Sequence, residues 1–546
     1  MMRRMKIVIV GGVAGGMSAA TRLRRLREDA QIVVFERSGH VSFANCGLPY
    51  HVGGVIEDRE DLLLQTPESL AARFALDVRV LNEVVGIDPT ARTVEIRDLR
   101  DGHTYSEPYD ELILSPGARP VRPPIPGIER ALTLRDIEDT DRMIEVLANG
   151  VSTAAIIGGG FIGLELTENL VKRGLKVTLV EATDQVMAPL DPEMVEPVQQ
   201  RIRKHGVTLV LGKSVVEIGA DSVTLNDGTV VPADVVVASI GVRPESTLAT
   251  AAGLEVGAGG GIVVDDHMRT SVPHIYAVGD AVVKRDAEDD SDVLVPLANT
   301  ANRQGRLVAD VIAGHPDADR PVRATAIVGV FGLMAATTGW NEKRLRRTGR
   351  PYRAIHTHPG SHAGYYPGAR TMSLKLLVDP ETDAILGAQG VGADGVDKRI
   401  DVIATAMAGG LTATDLADLE LAYAPQFGSA KDPINMLGFI AENLREGLLQ
   451  TVQWSELADA MAAGATVVDV RTPEEYAKGA IPGSINVPVD DLRERHGELP
   501  KGPLVVTCAV GQRGNTATRL LTQLGHDVRN LDGGYRTWSS SPAAHA

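Results

Sequence analysis

The chain has 546 residues, which is too long for one hydrophobic core and predicts three or four domains. Its content of 44% apolar and 23% charged residues is that of an ordinary globular protein. The formal net charge of −16 argues against general nucleic-acid binding, and no apolar run reaches the ~18 residues that span a bilayer.

Only two cysteines occur, Cys46 and Cys508, and they lie far apart in the sequence. Two distant cysteines cannot form a disulfide framework, so we expect a reducing, cytoplasmic location. The short apolar run after Met1–Met5 leads directly into glycines, which is typical of a strand entering a phosphate loop and not of a signal peptide.

Residues 6–36 predict a dinucleotide-binding unit. An apolar strand at 6–10 is followed by glycines at 11, 12, 15 and 16, a helix at 17–27 and a second strand that ends in Glu36. Such glycines let the backbone approach a pyrophosphate, and the acid binds ribose hydroxyls. Val13 stands where the middle glycine of the usual fingerprint would be, so strand, helix and Glu36 carry the prediction.

Cys46 comes ten residues after Glu36 and is followed by turn signals at Gly47, Pro49 and Gly53. A cysteine near a helix start is expected to have a lowered pKa and to be a good nucleophile. The alternative is a buried structural cysteine, which is a common environment for a free thiol.

A second, complete dinucleotide unit follows strands predicted at 77–85, 93–98 and 111–114 and a proline-rich connector at 120–126. Gly158–Gly163 forms G-x-G-x-x-G between a strand and a helix, and the next strand ends in Glu181. Because Glu181 would repel a 2′-phosphate, the pattern favours NADH, with NADPH as the alternative. The predicted contacts are Gly158, Gly160, Gly163, Glu181 and Gly241.

A strand that ends in Gly279-Asp280 supplies a carboxylate suited to a ribityl chain. Together with the two predicted nucleotide folds, Asp280 indicates a second contact with the flavin. Because this strand comes after the NAD-binding unit, the first domain is predicted to be discontinuous in sequence. The predicted FAD contacts are Gly11, Gly12, Ala14, Gly16, Glu36, Arg37, Gly117, Gly279 and Asp280.

The pattern changes after about residue 325, where strands alternate with glycine and histidine. His356, His358 and His362 lack a nearby cysteine or a fixed carboxylate, so no metal is expected. Beyond a linker at 447–453, a compact α/β unit contains an apolar strand at 504–507 that leads to Cys508 and a loop ahead of a helix. Backbone amides in such a loop can hold a thiolate or a persulfide.

The first ~445 residues resemble the coenzyme A-disulfide reductase branch of the pyridine nucleotide-disulfide oxidoreductases. The matching motifs are Gly11–Ala20, Ser42–Cys46, Gly158–Gly163, Ala277–Ala281 and Tyr423–Pro433. The last ~95 residues resemble a rhodanese domain through Asp469–Arg471, Ile481–Pro488, the Cys508 loop and Leu531–Tyr535, and Arg513 gives the loop a sulfurtransferase length. Ala509 stands where an arginine is frequent, which puts thiosulfate affinity in doubt.

The resemblance implies bound FAD and a homodimer in which Tyr365 and Tyr423 of one subunit approach Cys46 of the other. It also implies α/β architecture with two Rossmann-like domains, an α+β dimerisation domain and an α/β rhodanese domain. The expected bounds are 1–119 with 241–324 for FAD, 120–240 for NAD(P)H, 325–446 for dimerisation and 452–546 for rhodanese. The implied coenzyme A contacts are Arg25, Ser42, Asn45, Asn302 and Arg306.

These features favour a flavoprotein in which NADH reduces coenzyme A disulfide, coenzyme A persulfide or polysulfide through Cys46, while Cys508 carries sulfane sulfur. The predicted catalytic residues are Cys46, Tyr365, Tyr423, Cys508 and Arg513. One alternative is an NADH oxidase or peroxidase that cycles Cys46 through sulfenic acid. A second is a redox or sulfur sensor that does not turn over.

Overall fold

The computed structural model describes residues 4–315 and 317–544. They fall into two compact units, Met1–Val186 with Gly206–Ala324, and Met187–His205 with Thr325–Ala546. None of the helices in the described part of the chain has the length and hydropathy that a membrane span requires.

The first unit contains a five-stranded parallel sheet that surrounds the N-terminal strand. Its three inner strands are largely apolar and buried, as expected where helices cover both faces, whereas edge strand Asp77–Val80 is only partly buried. In spatial order they are Ile275–Ala277, Glu111–Leu114, Lys6–Val10, Gln31–Glu36 and Asp77–Val80. Helices Ala14–Leu26 and Ala298–Ile312 cross so closely that a β-carbon on Gly305 would lie 2.2 Å from the Gly15 carbonyl oxygen.

The strand predicted at 77–85 is in fact two strands. Leu81 has φ 56°, and its N–H donates to the Ser38 carbonyl oxygen, so the chain leaves the parallel sheet there. Asn82–Asp88 then starts an antiparallel sheet with Thr93–Asp98 and Thr104–Pro108. A left-handed leucine carries no sequence signal, which is why the break was not predicted.

A second parallel sheet lies in the same unit, and helices Ile137–Ala148 and Phe161–Lys172 belong to this part of the chain. Its order is Thr208–Leu211, Lys176–Glu181, Thr153–Ile157 and Val235–Ala238. An antiparallel sheet of Val215–Ile218, Ser222–Leu225 and Val230–Pro232 adjoins it. The remaining elements are strand pairs Ala118–Pro120 with Val242–Pro244 and Lys284–Arg285 with Asp292–Val293, and helices Leu48–Val52, Pro67–Phe74 and Thr247–Ala251.

The second unit contains one antiparallel and one parallel sheet. The antiparallel order is Ala326–Val330, Leu333–Gly339, Ile385–Gly392, Met372–Val378 and Arg353–Thr357. Its helices are Pro192–Lys204, Glu342–Thr348, Val396–Gly409 and Pro433–Arg445. The last two of these helices contribute buried residues to the core on this sheet.

The C-terminal sheet is parallel, and its strands lie in the order Thr451–Val452, Val528–Leu531, Leu504–Thr507, Thr466–Asp469 and Ile485–Asn486. Its helices are Leu457–Ala462, Pro473–Ala477, Leu492–Arg495, Gln512–Gln523 and Gly534–Ser539. Part of the predicted linker, Thr451–Val452, is therefore an edge strand.

The arginine-rich segment of the first helix contains one structural residue. Arg24 is buried, and its guanidinium donates to the carbonyl oxygens at the ends of two helices. These acceptors are Arg27, Glu28, Ala30, Phe74 and Ala75.

We predict that Arg24→Met destabilises the first unit by about 2–4 kcal/mol, because buried carbonyl groups lose their donors. The three tryptophans, Trp340, Trp454 and Trp538, all lie in the second unit, so unfolding of the first unit is followed during heating by hydrogen exchange of its own peptides. Arg27→Met, which removes an exposed pair with Asp29, is the matched control. Equal midpoints for the two variants would contradict the assignment.

Candidate active site

The first glycine turn brings a helix N-terminus against the end of a strand. Gly11 has φ 98°, and a β-carbon on Gly16 would lie 1.9 Å from the Gly11 carbonyl oxygen. The Gly12 N–H donates to Glu36 Oε2 at 2.8 Å, and Ala14 is the first residue of the helix. Only glycine fits at these contacts, and a turn at a helix N-terminus suits a pyrophosphate.

The second turn repeats this geometry. Gly158 has φ 105°, and a β-carbon on Gly163 would lie 2.0 Å from the Gly158 carbonyl oxygen. The Gly159 N–H donates to Glu181 Oε2 at 2.7 Å, and the Thr183 N–H and hydroxyl donate to Glu181 Oε1. The two turns therefore place an equivalent carboxylate beside each phosphate loop.

Two further predicted contacts border the second turn. Gly160 is the N-cap of helix Phe161–Lys172, and no atom lies within 4 Å of the position of its missing β-carbon. Gly241, with φ 126°, comes shortly after strand Val235–Ala238. Both leave backbone accessible to a ligand.

Asp280 carries an oxygen that fits a bound flavin. Its Oδ1 is buried and has no hydrogen-bond partner among the described residues, and burial raises the pKa of this carboxyl. Gly279 is fixed from both sides, because its N–H donates to Gln304 Oε1 at 3.0 Å and its carbonyl accepts from Lys284 Nζ at 2.7 Å. An unpaired buried carboxylate oxygen requires a donor, and a ribityl hydroxyl would supply one.

The two remaining predicted flavin contacts lie near Arg135. Gly117 has φ 70°, and Arg135 donates to the adjacent Pro116 carbonyl oxygen at 3.1 Å. Burial lowers the pKa of Arg135, and the charge of Arg37, which is exposed, lowers it further. These residues form a positive rim that suits an anionic dinucleotide.

Cys46 lies in the 3-10 turn Asn45–Gly47, directly before helix Leu48–Val52, and it is a free, exposed residue. The expectation of a lowered pKa is wrong. Partial burial of the sulfur raises the pKa of the Cys46 thiol, and the carboxylates of Glu165 and Asp280 raise it further. The alternative of a buried structural cysteine does not fit this exposure.

The sequence analysis missed two groups beside Cys46. Tyr50 lies one helical turn beyond the cysteine, and its hydroxyl donates to Glu165 Oε1 at 3.1 Å. Burial raises the pKa of both Tyr50 and Glu165. The i, i+4 spacing from Cys46 and the position of Glu165 two residues after Gly163 are the signals that could have found them.

Two of the predicted coenzyme A contacts adjoin Cys46 in sequence. Ser42 is left-handed, with φ 49°, and its backbone N–H donates to the Gly12 carbonyl oxygen. Asn45 is exposed, and its side-chain amide lies 3.4 Å from the Arg135 carbonyl oxygen. Both residues carry polar side chains within four sequence positions of Cys46.

The other three contacts lie on the two crossing helices. Arg25, Asn302 and Arg306 are all exposed. Ser18 Oγ donates to Asn302 Oδ1 at 2.6 Å across the helix crossing, and Arg306 lies 3.9 Å from Asp310. The helices thus share an exposed, partly basic face.

Tyr365 and Tyr423 meet on the second unit. Their hydroxyl oxygens lie 2.9 Å apart although the residues are 77% and 48% exposed, and this hydrogen bond raises the pKa of Tyr423. Tyr366 and Phe427 are also exposed. Four exposed aromatic residues make a surface that a partner could cover.

Of the three histidines considered as metal ligands, His356 and His358 contact other side chains, and His362 Nδ1 lies 3.2 Å from the Ala363 carbonyl oxygen. His356 contacts Asp532 Oδ2 at 2.6 Å and Glu193 Oε1 at 3.0 Å, and His358 contacts Thr537 Oγ1 at 2.8 Å. Both histidines are buried.

Cys508 is buried at the end of strand Leu504–Thr507. The Gly511 N–H, at the N-cap of helix Gln512–Gln523, donates to Cys508 Sγ at 3.1 Å. Arg513 donates to both oxygens of Glu475 at 2.7 Å, which lowers the pKa of Glu475 to about 2. Sulfur and backbone amide therefore meet in the loop, and a guanidinium paired with Glu475 lies in the first turn of the helix that follows.

Two dinucleotide turns, one exposed thiol and a C-terminal thiol loop define an oxidoreductase with an attached sulfur-handling domain. Residues 5–305 match the pyridine nucleotide-disulphide oxidoreductase family, residues 325–432 its dimerisation domain and residues 453–541 the rhodanese-like domain. The chain belongs to the pyridine nucleotide-disulphide oxidoreductase family.

Three relatives illustrate the similarity. A coenzyme A disulfide reductase from Staphylococcus aureus is 36% identical over 441 residues, which cover 80% of this chain and 100% of the relative. The structure of reduced CoADR-RHD from Bacillus anthracis is 48% identical, with a TM-score of 0.97 and coverage of 98% of both chains. The structure of an NAD-dependent persulfide reductase from A. fulgidus is 37% identical, with a TM-score of 0.92 and coverage of 98% of this chain and 100% of that one.

These findings confirm the family, the fold class and the identification of the chain as an enzyme. They also support flavin and nicotinamide as cofactors.

We predict that Glu165→Gln lowers the pKa of Cys46, because it removes a negative charge that disfavours the thiolate. Iodoacetamide alkylation of Cys46 in a Cys508→Ser background should therefore accelerate at neutral pH, and its pH midpoint should fall. Glu168→Gln is the matched control, since Glu168 lies on the same helix and pairs with Lys172. An unchanged pH profile for Glu165→Gln would contradict the electrostatic assignment.

Proposed function

We propose that this enzyme uses NADH and FAD to reduce coenzyme A disulfide, coenzyme A persulfide or polysulfide through Cys46. The observation that carries the proposal is the isolation of an exposed Cys46 in a chain whose only other cysteine is Cys508, in the rhodanese-like domain. A relative with two neighbouring thiols could close an internal disulfide. Here the sulfur that pairs with Cys46 comes from the substrate.

Coenzyme A is the proposed carrier of that sulfur. The names of the S. aureus and A. fulgidus relatives point to a disulfide and a persulfide as substrates. The exposed face with Arg25, Asn302 and Arg306 offers charge for the phosphates of coenzyme A, while Ser42 and Asn45 lie next to the thiol in sequence. A long anionic cofactor with a terminal sulfur suits this arrangement of charges and thiol.

The proposed mechanism assigns residues to cofactor binding and assigns the attack on the substrate sulfur to Cys46. Glu36 and Asp280 would hold FAD by accepting hydrogen bonds from its hydroxyls, and Glu181 would do the same for NADH and disfavour NADPH. The chemistry supplied by a bound flavin would be transfer of two electrons from the nicotinamide to sulfur. The Cys46 thiolate attacks one sulfur of coenzyme A disulfide and releases one coenzyme A thiolate. Reduction of the resulting mixed disulfide regenerates Cys46 and releases the second thiolate.

Proton control at this site falls to carboxylates and tyrosines. The carboxylate of Glu165 places negative charge near Cys46 and therefore disfavours the thiolate form of this cysteine. In a homodimer, Tyr365 and Tyr423 of the partner subunit protonate or hydrogen-bond the leaving thiolate. Their hydroxyls are already paired with each other, so either one can donate while the other supports it.

Cys508 carries sulfane sulfur to or from coenzyme A in this scheme. Its sulfur accepts a backbone N–H, and Arg513 keeps a positive charge in the same loop. These groups favour an anionic persulfide. The four domain boundaries predicted from sequence, the homodimer and the cytoplasmic location belong to the same proposal.

We predict that Cys46→Ser lowers kcat/KM for all three sulfur substrates by about three orders of magnitude or more, with flavin still bound. The assay follows NADH consumption under nitrogen, and Cys508→Ser is the matched variant. Cys508→Ser should keep coenzyme A disulfide reduction within about twofold and lose sulfane-sulfur transfer.

The same assay separates the alternatives. An NADH oxidase stops without oxygen, and a sensor consumes at most one equivalent of NADH. Sustained turnover by Cys46→Ser would reject the proposal.

We predict that the tyrosines act across the dimer. A heterodimer of a Cys46→Ser chain and a Tyr365→Phe/Tyr423→Phe chain should contain one complete site and recover about half of the wild-type rate. The Tyr365→Phe/Tyr423→Phe homodimer should be about 10–100-fold slower than the wild type. A heterodimer as slow as that homodimer would place the tyrosines within one subunit.

A further inference from the structure

We propose that His356 is a positioning residue for Cys508: through Asp532 and the two glycines that follow it, His356 holds the loop that carries the Cys508 sulfur. His356 lies in the region that matches the dimerisation domain, whereas Asp532 and Cys508 lie in the rhodanese-like region. The inference rests on the proposed sulfur carriage by Cys508.

Three groups hold the Asp532 carboxylate. The His356 backbone N–H donates to its two oxygens at 3.2 and 3.1 Å, and His356 Nδ1 lies 2.6 Å from Oδ2. Gln453 Nε2 donates to the same Oδ2 at 3.2 Å. His356 and Asp532 are both buried, so water does not compete for these bonds.

His356 is itself fixed on its far side. Its Nε2 lies 3.0 Å from Glu193 Oε1, and Glu193 also pairs with the buried Lys375 ammonium. Lys375 Nζ lies 2.9 Å from Asp191 and 2.8 Å from Glu342. Burial alone would lower the pKa of His356, but Asp532 and Glu193 outweigh it and raise that pKa to about 9. The imidazolium thus bridges two carboxylates at neutral pH.

Two glycines separate His356 from the Cys508 loop, and neither has room for a side chain. Gly533 and Gly534 both have φ 64°. A β-carbon on Gly533 would lie 2.8 Å from His356 Cβ, and one on Gly534 would lie 2.5 Å from the Cys508 carbonyl oxygen. A displacement of this segment is therefore transmitted directly to the loop.

The same segment hydrogen-bonds to the loop on the other side. The Tyr535 N–H donates to the Cys508 carbonyl oxygen at 2.7 Å, and the Arg536 N–H donates to the Ala509 carbonyl oxygen at 3.1 Å. These bonds orient the turn in which the Gly511 N–H reaches Cys508 Sγ. A persulfide needs such preorganised donors, because its outer sulfur becomes a leaving or attacking anion.

The test uses full-length, flavin-loaded protein with Cys46→Ser, so that sulfur transfer depends on Cys508 alone. Inorganic polysulfide is the donor: its terminal sulfane sulfur bonds to the Cys508 thiolate, and the S–S bond of the donor breaks to release a shorter polysulfide. Cyanide then attacks the outer sulfur, and thiocyanate and the Cys508 thiolate are the products. A Cys46→Ser/Cys508→Ser chain provides the blank.

His356→Ala should lower kcat for thiocyanate formation by about 10–100-fold and leave KM for polysulfide within about twofold. Because alanine removes the imidazole that contacts two buried carboxylates, His356→Gln is a second variant that keeps an amide donor, and its kcat should be intermediate. In chains that retain Cys46, both variants should reduce coenzyme A disulfide at the wild-type rate. His496→Ala, which removes a histidine paired only with His526 in the rhodanese-like region, should change neither activity.

A wild-type kcat for thiocyanate formation in His356→Ala would overturn the positioning role. Parallel loss of coenzyme A disulfide reduction in both variants would also overturn it, since it would indicate a general folding effect. If the Cys46→Ser chain with His356 intact formed no more thiocyanate than the blank, the proposed sulfur carriage would fail, and this inference with it.

Discussion

The first unit depends on a backbone contact that excludes any side chain. At Gly16 a β-carbon would collide with the Gly11 carbonyl oxygen at 1.9 Å, and at Gly163 it would collide with the Gly158 carbonyl oxygen at 2.0 Å. These contacts let each helix start next to the end of its strand, so the first free N–H groups are available to a phosphate. In each turn a backbone N–H also donates to a carboxylate, that of Glu36 or Glu181. The same local geometry therefore occurs twice in the chain, once for each predicted dinucleotide.

The two cysteines lie in opposite electrostatic surroundings. Cys46 has the carboxylates of Glu165 and Asp280 nearby, which oppose a thiolate, whereas Cys508 accepts a backbone N–H and shares its loop with Arg513. This contrast fits a division of labour. A raised pKa makes the Cys46 thiolate more nucleophilic but lowers the fraction of it present, whereas a sulfur held by donors suits storage of an anionic persulfide.

The sequence predicted what short-range patterns encode. Strand, glycine turn, helix and acid occur in one stretch for each nucleotide turn, and the Cys508 loop follows its strand directly. What the sequence did not predict depends on contacts between distant residues. The pKa of Cys46 is raised by burial and further by Glu165 and Asp280, and His356 contacts partners at sequence separations of 163 and 176 residues. The sequence does not distinguish Arg24 from the nearby arginines at 22, 25 and 27. Only the fold shows that carbonyl oxygens surround its guanidinium.

The buried charges around His356 and Lys375 join the region that matches the dimerisation domain to the rhodanese-like region at a high desolvation free energy. Desolvation costs buried ions several kcal/mol each, and well-packed apolar residues often stabilise an interface as much or more. Ionic contacts differ in that they are directional: Asp532 accepts from a backbone N–H, an imidazole and an amide at once. An apolar contact could slide, but this one fixes the orientation of the Gly533-Gly534 segment. Selection for a defined position of the Cys508 loop therefore explains the charges better than selection for stability.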